Sequence, residues 1–346
     1  MSIPEGNNST TSSRILALDA LRGLSVFLML LVNNFGVGED TPKMLKHANW
    51  QGGVTLADFV FPWFLFCVGV AIAFSAASFA RRGIPRWHYD LRIARRTVLL
   101  LALGFLVMSV DAGHPDFTIG VLQLIGLSYA ISALLYDLPI HRRVYFALAL
   151  LLIHWAVIKF LPNPGVHAGA FGEGHNIIHH FNRKYLAPIG LEGLPLVVPT
   201  TALVLIGSFI GDLARKINLA PFRRAEYIIA CGLILTLGGF FWSLDLPFNK
   251  PLWTPAYVLL AAGTACILLG AFHIAIDIKK WSAWAFPFIV YGSNAILVYV
   301  LPIVFKDLVL RPLHISTGGW LRSLGYAAFW WVVMWVLYRK KLFLKV

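Results

Sequence analysis

KHANWQGGVTLADFVFPWF, residues 46–64, passes from a basic, polar segment into an apolar one. From 54 to 79 the only charged side chain is Asp58. A helix rises about 1.5 Å per residue, so this run can cross a hydrocarbon core about 30 Å thick. The stretch reads as the lip and the body of a transmembrane helix. Lys46, His47, Asn49 and Trp50 stand on the lip, and Asp58 sits just inside it.

Similar apolar runs recur along the 346 residues, of which 58% are hydrophobic and 13% charged. A soluble domain carries roughly 25% charged residues. The expected fold is all-α, a polytopic helical membrane protein. A membrane β-barrel would instead show alternating segments of about 10 residues. The net charge of +13 fits the basic loops that such proteins keep in the cytoplasm, so no nucleic acid is expected as a partner. Cys67, Cys231 and Cys266 all fall in apolar runs and read as small packing residues rather than a disulfide framework. Walker A, GxGxxG, HExxH and GxSxG patterns are absent from the sequence.

Ten spans are expected, at 15–34, 54–79, 97–112, 118–137, 144–161, 194–212, 226–243, 254–277, 283–305 and 323–338. With the N-terminus inside, 19 Lys and Arg fall on the cytoplasmic side and 9 on the other, with Arg22 inside the first span. This asymmetry places both termini in the cytoplasm and the His47 segment outside. Residues 1–13 are polar and lack the charged-then-apolar order of a signal peptide, so they read as a disordered cytoplasmic tail. The rest, 14–346, reads as a single transmembrane domain.

Polar residues inside spans are costly and point to function. Asp19 and Arg22 are i, i+3 neighbours on the first span, and Asn33 follows on the same face. Arg22 and Asn33 are roughly 16 Å apart along the axis. The same pattern would also serve a structural ion pair and a helix-terminal Asn. Asp58 needs a partner. Trp50 fits either an interfacial aromatic or a binding platform. His167, His175, His179 and His180 share one outer loop, but that loop looks irregular, and no metal is expected. Glu192 precedes a span, while Gln123 and Asn294 lie inside spans, where such residues also simply join helices.

In combination these segments resemble the heparan-α-glucosaminide N-acetyltransferase family of transmembrane acetyltransferases, in its bacterial-type core form. LDALRGLSVFLMLLVNN looks like the family's first catalytic-domain helix. KHANWQGGVTLADFVFPWF looks like its His-Ala-x-Trp-x-Gly-x-Thr-x-Ala-Asp signature. GVLQLIGLSY, LEGLP, NKPLW and GSNAILVYV are similar to further family segments in the same order. The broader membrane O-acyltransferases share the start of the first helix but place a His where this chain has Asn33.

The resemblance implies acetyl transfer from cytosolic acetyl-CoA to a glucosamine-type amine on the far side of the membrane. His47 matches the catalytic histidine and Asn33 the asparagine placed beside it. Arg22, with Asp19, Arg95 and Arg96 from the basic 81–96 loop, would hold the CoA phosphates. Trp50, Asp58, Glu192, Trp253 and Asn294 would line the acceptor site. The expected partners are acetyl-CoA, an amino sugar and the lipid bilayer, with a homodimer allowed. The expected location is a bacterial inner membrane. A transporter for an amino sugar is the alternative, supported by the intramembrane polar residues and by Pro62, Pro287 and Pro302. It should show paired broken helices in an inverted repeat, and no such repeat is visible in the sequence. A structural scaffold accounts least well for the intramembrane polar residues.

Overall fold

The computed structural model describes residues 15–35, 42–50, 53–162, 165, 167–216 and 218–344. The expected tail, 1–13, lies outside the described residues. The helices are α1 (Leu16–Phe35), α2 (Leu56–Arg81), α3 (Arg86–Ala112), α4 (Val121–Leu134), α5 (Ile140–Phe160), the short α6 (Ile177–Phe181), α7 (Val197–Ala214), α8 (Pro221–Ser243), α9 (Pro255–Phe272), α10 (Phe286–Ser293), α11 (Ala295–Phe305) and α12 (Trp320–Arg339). Among the described residues there is no β-strand. Eight helical segments of the described residues are long and apolar enough to cross a membrane. The shorter Val121–Asp137 and the bent pair Ala283–Ser293 and Ala295–Leu310 correspond to the other two expected spans. The fold is all-α and polytopic.

Two expected spans take a different form. The one expected at 97–112 begins at Arg86, so Arg86, Arg92, Arg95 and Arg96 of the 81–96 loop lie in the first turns of α3, while Arg81 ends α2. Gly83, with φ +62°, makes the turn before it, and Pro85 caps the helix. The span expected at 283–305 is bent by 69° at Asn294. None of the three prolines makes that bend. Pro62 and Pro302 lie inside α2 and α11, and Pro287 opens α10.

The spans divide by burial. α1, α2, Leu194–Ala214 and Pro255–Ile278 form the interior, while α3, α5, α8 and α12 expose most of their surface. In lipid, helices associate through close packing and hydrogen bonds rather than through hydrophobic expulsion. Glycine permits that closeness where α1 meets α10. A Cβ on Gly23 would stand 1.7 Å from the Phe288 carbonyl oxygen, and one on Gly292 would stand 2.0 Å from that of Asp19. The backbones touch there, which brings the Arg22 side chain to the Gly292 carbonyl.

Candidate active site

α2 opens with Thr55 as N-cap and Asp58 in its first turn. A carboxylate is favoured there by the helix dipole and by the free N–H groups. Asp58 is 2% exposed, and donors surround it. Its Oδ2 accepts from the backbone N–H of Thr55 (2.9 Å) and of Ala48 (3.1 Å). Its Oδ1 stands 2.8 Å from His47 Nδ1. An ionised carboxylate only accepts, so Nδ1 carries the hydrogen and donates it. Nε2 is then the ring atom with a lone pair. The His47 side chain is 52% exposed, so the ring is open to a ligand while its carboxylate is not. The Thr55 hydroxyl donates to the Lys46 carbonyl at 2.6 Å and fixes the segment just before the ring.

A distant loop completes the cluster. Asn249, 2% exposed, accepts from the Leu252 N–H (2.9 Å) and donates to the Trp50 carbonyl (3.2 Å). This sets Lys250 Nζ 3.5 Å from Asp58 Oδ1 and 3.0 Å from His47 Nδ1. Burial pushes the Lys250 ammonium down from its ordinary range, against the opposing pull of Asp58. On α9, the Tyr257 hydroxyl donates to the Asp58 carbonyl at 2.5 Å. Trp50 fastens the lip to the 167–193 loop. Its indole N–H donates to the Phe171 carbonyl at 2.7 Å, and its ring centroid lies 5.7 Å from that of His179.

The arrangement is an exposed imidazole oriented by a buried carboxylate, at the end of a membrane span. The sequence matches the family described as heparan-alpha-glucosaminide N-acetyltransferase, catalytic, over residues 14–239. The chain belongs to this family. Two curated relatives named heparan-alpha-glucosaminide N-acetyltransferase are similar along nearly the whole chain. The human protein is 25% identical, over 98% of this chain and 61% of its own length. The mouse protein is 26% identical, over 99% and 62%. The chain spans about three-fifths of the length of these relatives. Lys250 lies beyond the segment that matches the acetyltransferase family.

The residues expected for acceptor binding divide. Trp50 and the exposed Glu192 belong to the His47 side of the bundle, where the Glu192 backbone carbonyl accepts from Ile119 at 2.8 Å. Asp58 is buried, and every oxygen faces a donor of the protein, so it stands where it can orient the His47 ring. Trp253 is 3% exposed, packs edge-on against Phe61 and Tyr257 and has a left-handed backbone (φ 50°). Asn294 lies apart from both. It sits in the break between α10 and α11, and both ends of its amide bond the chain terminus, at Leu342 O (3.0 Å) and Leu344 N (2.9 Å). That terminus follows α12, whose start lies near Asn34 through the Thr317–Asn34 bond, so Asn294 lies at the opposite end from His47.

Asn33 and Asn34 end α1 differently. Asn34 is buried, its amide spent on the Leu30 carbonyl (2.7 Å) and the Thr317 hydroxyl (3.2 Å). Asn33 is exposed, and its side chain makes no hydrogen bond among the described residues. It lines a small cavity between α1 and α11 with Val26, Leu30, Tyr299 and Lys306. A second cavity shares Val26 and Tyr299 and lies toward α2 and α4, lined also by Phe64, Leu122 and Ile125. The residues His47, Asp58 and Lys250 line neither cavity.

At the other end of α1, Arg22 donates to Asp19 (2.7 Å) and to the Gly292 carbonyl (2.8 Å). Arg96 packs over Tyr129, 4.3 Å from the ring centroid, and its Nε is buried without a hydrogen-bond partner. The Tyr89 hydroxyl nearby is equally unpartnered. Arg96 lies within electrostatic reach of Arg22 and Arg92, whereas Arg95 is exposed on α3. Lys250 and Tyr89 were not singled out in the sequence. Lys250 is 203 residues from His47, and only the NKPLW segment marked its region.

Proposed function

We propose that this protein is a membrane acetyltransferase that moves the acetyl group of acetyl-CoA, from the cytoplasmic side, onto the amine of a glucosamine-type sugar on the other side. The observation that carries this reading is the His47–Asp58 pair, an oriented imidazole at the lip of a membrane span in a chain of this acetyltransferase family. A general base of this kind must reach the proton it removes, and a histidine suits that task near neutral pH.

The chemistry balances without further reagents. His47 Nε2 takes a proton from the amine as nitrogen bonds to the thioester carbon. Asp58 holds the ring's Nδ1–H and supports the charge that forms. His47 then returns the proton to sulfur as the carbon–sulfur bond breaks, leaving an amide and a thiol. Asn33, exposed and lining the first cavity, would donate its amide N–H to the carbonyl oxygen as charge grows on it. One such donor is worth about 10²–10³ in rate.

Acetyl-CoA is the donor substrate, and residues at the far end of α1 suit it. The unpartnered Arg96 Nε and Tyr89 hydroxyl, with Arg22 and Arg92 near, have the chemistry to receive phosphate oxygens. A thin, flexible arm would have to bring the thioester to Asn33, which lines the first cavity. The bend at Asn294 favours a transporter only if a second broken helix accompanies it, and none does among the described residues. The test is a proteoliposome with labelled acetyl-CoA at the cytoplasmic face and glucosamine outside. The reading expects acetylated sugar outside without net sugar uptake. Sugar uptake without acetylation would replace it with transport.

A further inference from the structure

The Lys250 ammonium stands 3.0 Å from His47 Nδ1 and 3.5 Å from Nε2. Nδ1 already gives its hydrogen to Asp58, and an ammonium has only donors. The approach is therefore not a hydrogen bond to Nδ1, and toward the Nε2 lone pair, at 3.5 Å, the ammonium can only donate. It is a cation set against the ring, held by Asp58 Oδ1 at 3.5 Å and by the Asn249 turn.

We infer that Lys250 is a positioning residue whose charge offsets that of Asp58, so that His47 rests as a neutral base and readily releases a proton it has taken. The inference rests on the acetyl-transfer reading for its chemical purpose. A histidine paired with a carboxylate alone is biased toward imidazolium, and a fixed cation beside it reverses that bias. An overstabilised imidazolium would neither accept the amine proton nor give one to the departing sulfur. With Lys250 in place, Asp58 keeps its orienting bond while its charge is balanced. Among the described residues, the charged groups facing His47 are Asp58 from α2 and Lys250 from the α8–α9 loop. Lys43 and Lys46 lie on its own segment, and His179 lies beyond Trp50.

The test compares the full-length protein with Lys250→Gln and Lys250→Arg by two measurements. Nitrogen-15 NMR of histidine-labelled protein, with His47→Asn identifying the signal, follows proton uptake by the ring without any need for turnover. The pH dependence of acetyl transfer follows its consequence. Lys250→Gln should move both the ring's titration and the acid limb of activity upward by roughly one to two pH units. Lys250→Arg should restore both. If Lys250→Gln fails to fold, Lys250→Met, which keeps the apolar stem, is read in the same way. A loss of activity with the titration and the limb unmoved would make Lys250 a loop anchor and overturn the inference. A titration moved by Lys250→Gln, with a wild type that transfers no acetyl group, would keep the coupling and remove the acetyl-transfer reading.

Discussion

Asp58 Oδ1 lies 2.8 Å from His47 Nδ1, and the two residues are 11 apart in sequence. One is buried in the first turn of a membrane span and the other is exposed on its lip. The bond fixes which ring nitrogen carries hydrogen, and so which one can act as a base. Asp58→Asn keeps the shape and loses the obligatory acceptor. Turnover should fall by about 10²–10⁴ while acetyl-CoA affinity stays within a few-fold. Single-turnover kinetics and a binding isotherm on the same samples check this. Near-normal turnover would mean that the tautomer is not what Asp58 supplies.

The two asparagines at the end of α1 give a paired prediction. Asn33 has a free amide, while that of Asn34 is spent on α1 and Thr317. Asn33→Ala should lower turnover by about 10²–10³ with the melting temperature preserved. Asn34→Ala should lower stability, by about 1 kcal/mol per lost bond, more than turnover. Thermal unfolding alongside acetyl-transfer rates separates the two, and the reverse pattern would assign the catalytic amide to Asn34.

Arg95 and Arg96 are adjacent in sequence and differ in surroundings. Arg96 has a buried, unpartnered Nε, and Arg95 is exposed. Arg96→Gln should weaken acetyl-CoA binding by about 10-fold or more, the loss expected for a charge-assisted hydrogen bond. Arg95→Gln should have little effect at moderate salt. Calorimetric titration with CoA measures both. Equal, small effects would place the phosphates elsewhere.

Trp50 joins the His47 lip to the 167–193 loop through the Phe171 carbonyl and the His179 ring. Trp50→Phe keeps the ring and removes the indole donor. Amide exchange in residues 171–180 should rise, and the Michaelis constant for the sugar should rise with it, leaving CoA affinity alone. Unchanged exchange would show that Trp50 does not tether this loop.

The spans were legible because a bilayer imposes a length, and an apolar run such as 54–79 satisfies it in any context. The His47–Asp58 pair was half legible. A carboxylate inside a span needs a partner, but the sequence does not say whether that partner is protein or ligand. Lys250 was not legible, since only folding brings position 250 to position 47. The burial of Trp253 was not legible, because an interfacial Trp and a buried one look alike in sequence, and its positive φ is a property of the fold. The surroundings of Asn294 were not legible for a related reason. Its break carries no proline, and its partners are backbone groups at 342 and 344, which no side-chain pattern reveals.

The central claim is that His47 is the base for acetyl transfer. Its most direct test is turnover of purified His47→Ala against wild type, with acetyl-CoA affinity measured on the same samples. The account predicts that transfer to glucosamine is abolished while acetyl-CoA affinity and thermal stability are nearly unchanged. Turnover within a few-fold of wild type would contradict it and leave His47 an exposed loop residue paired to a helix cap.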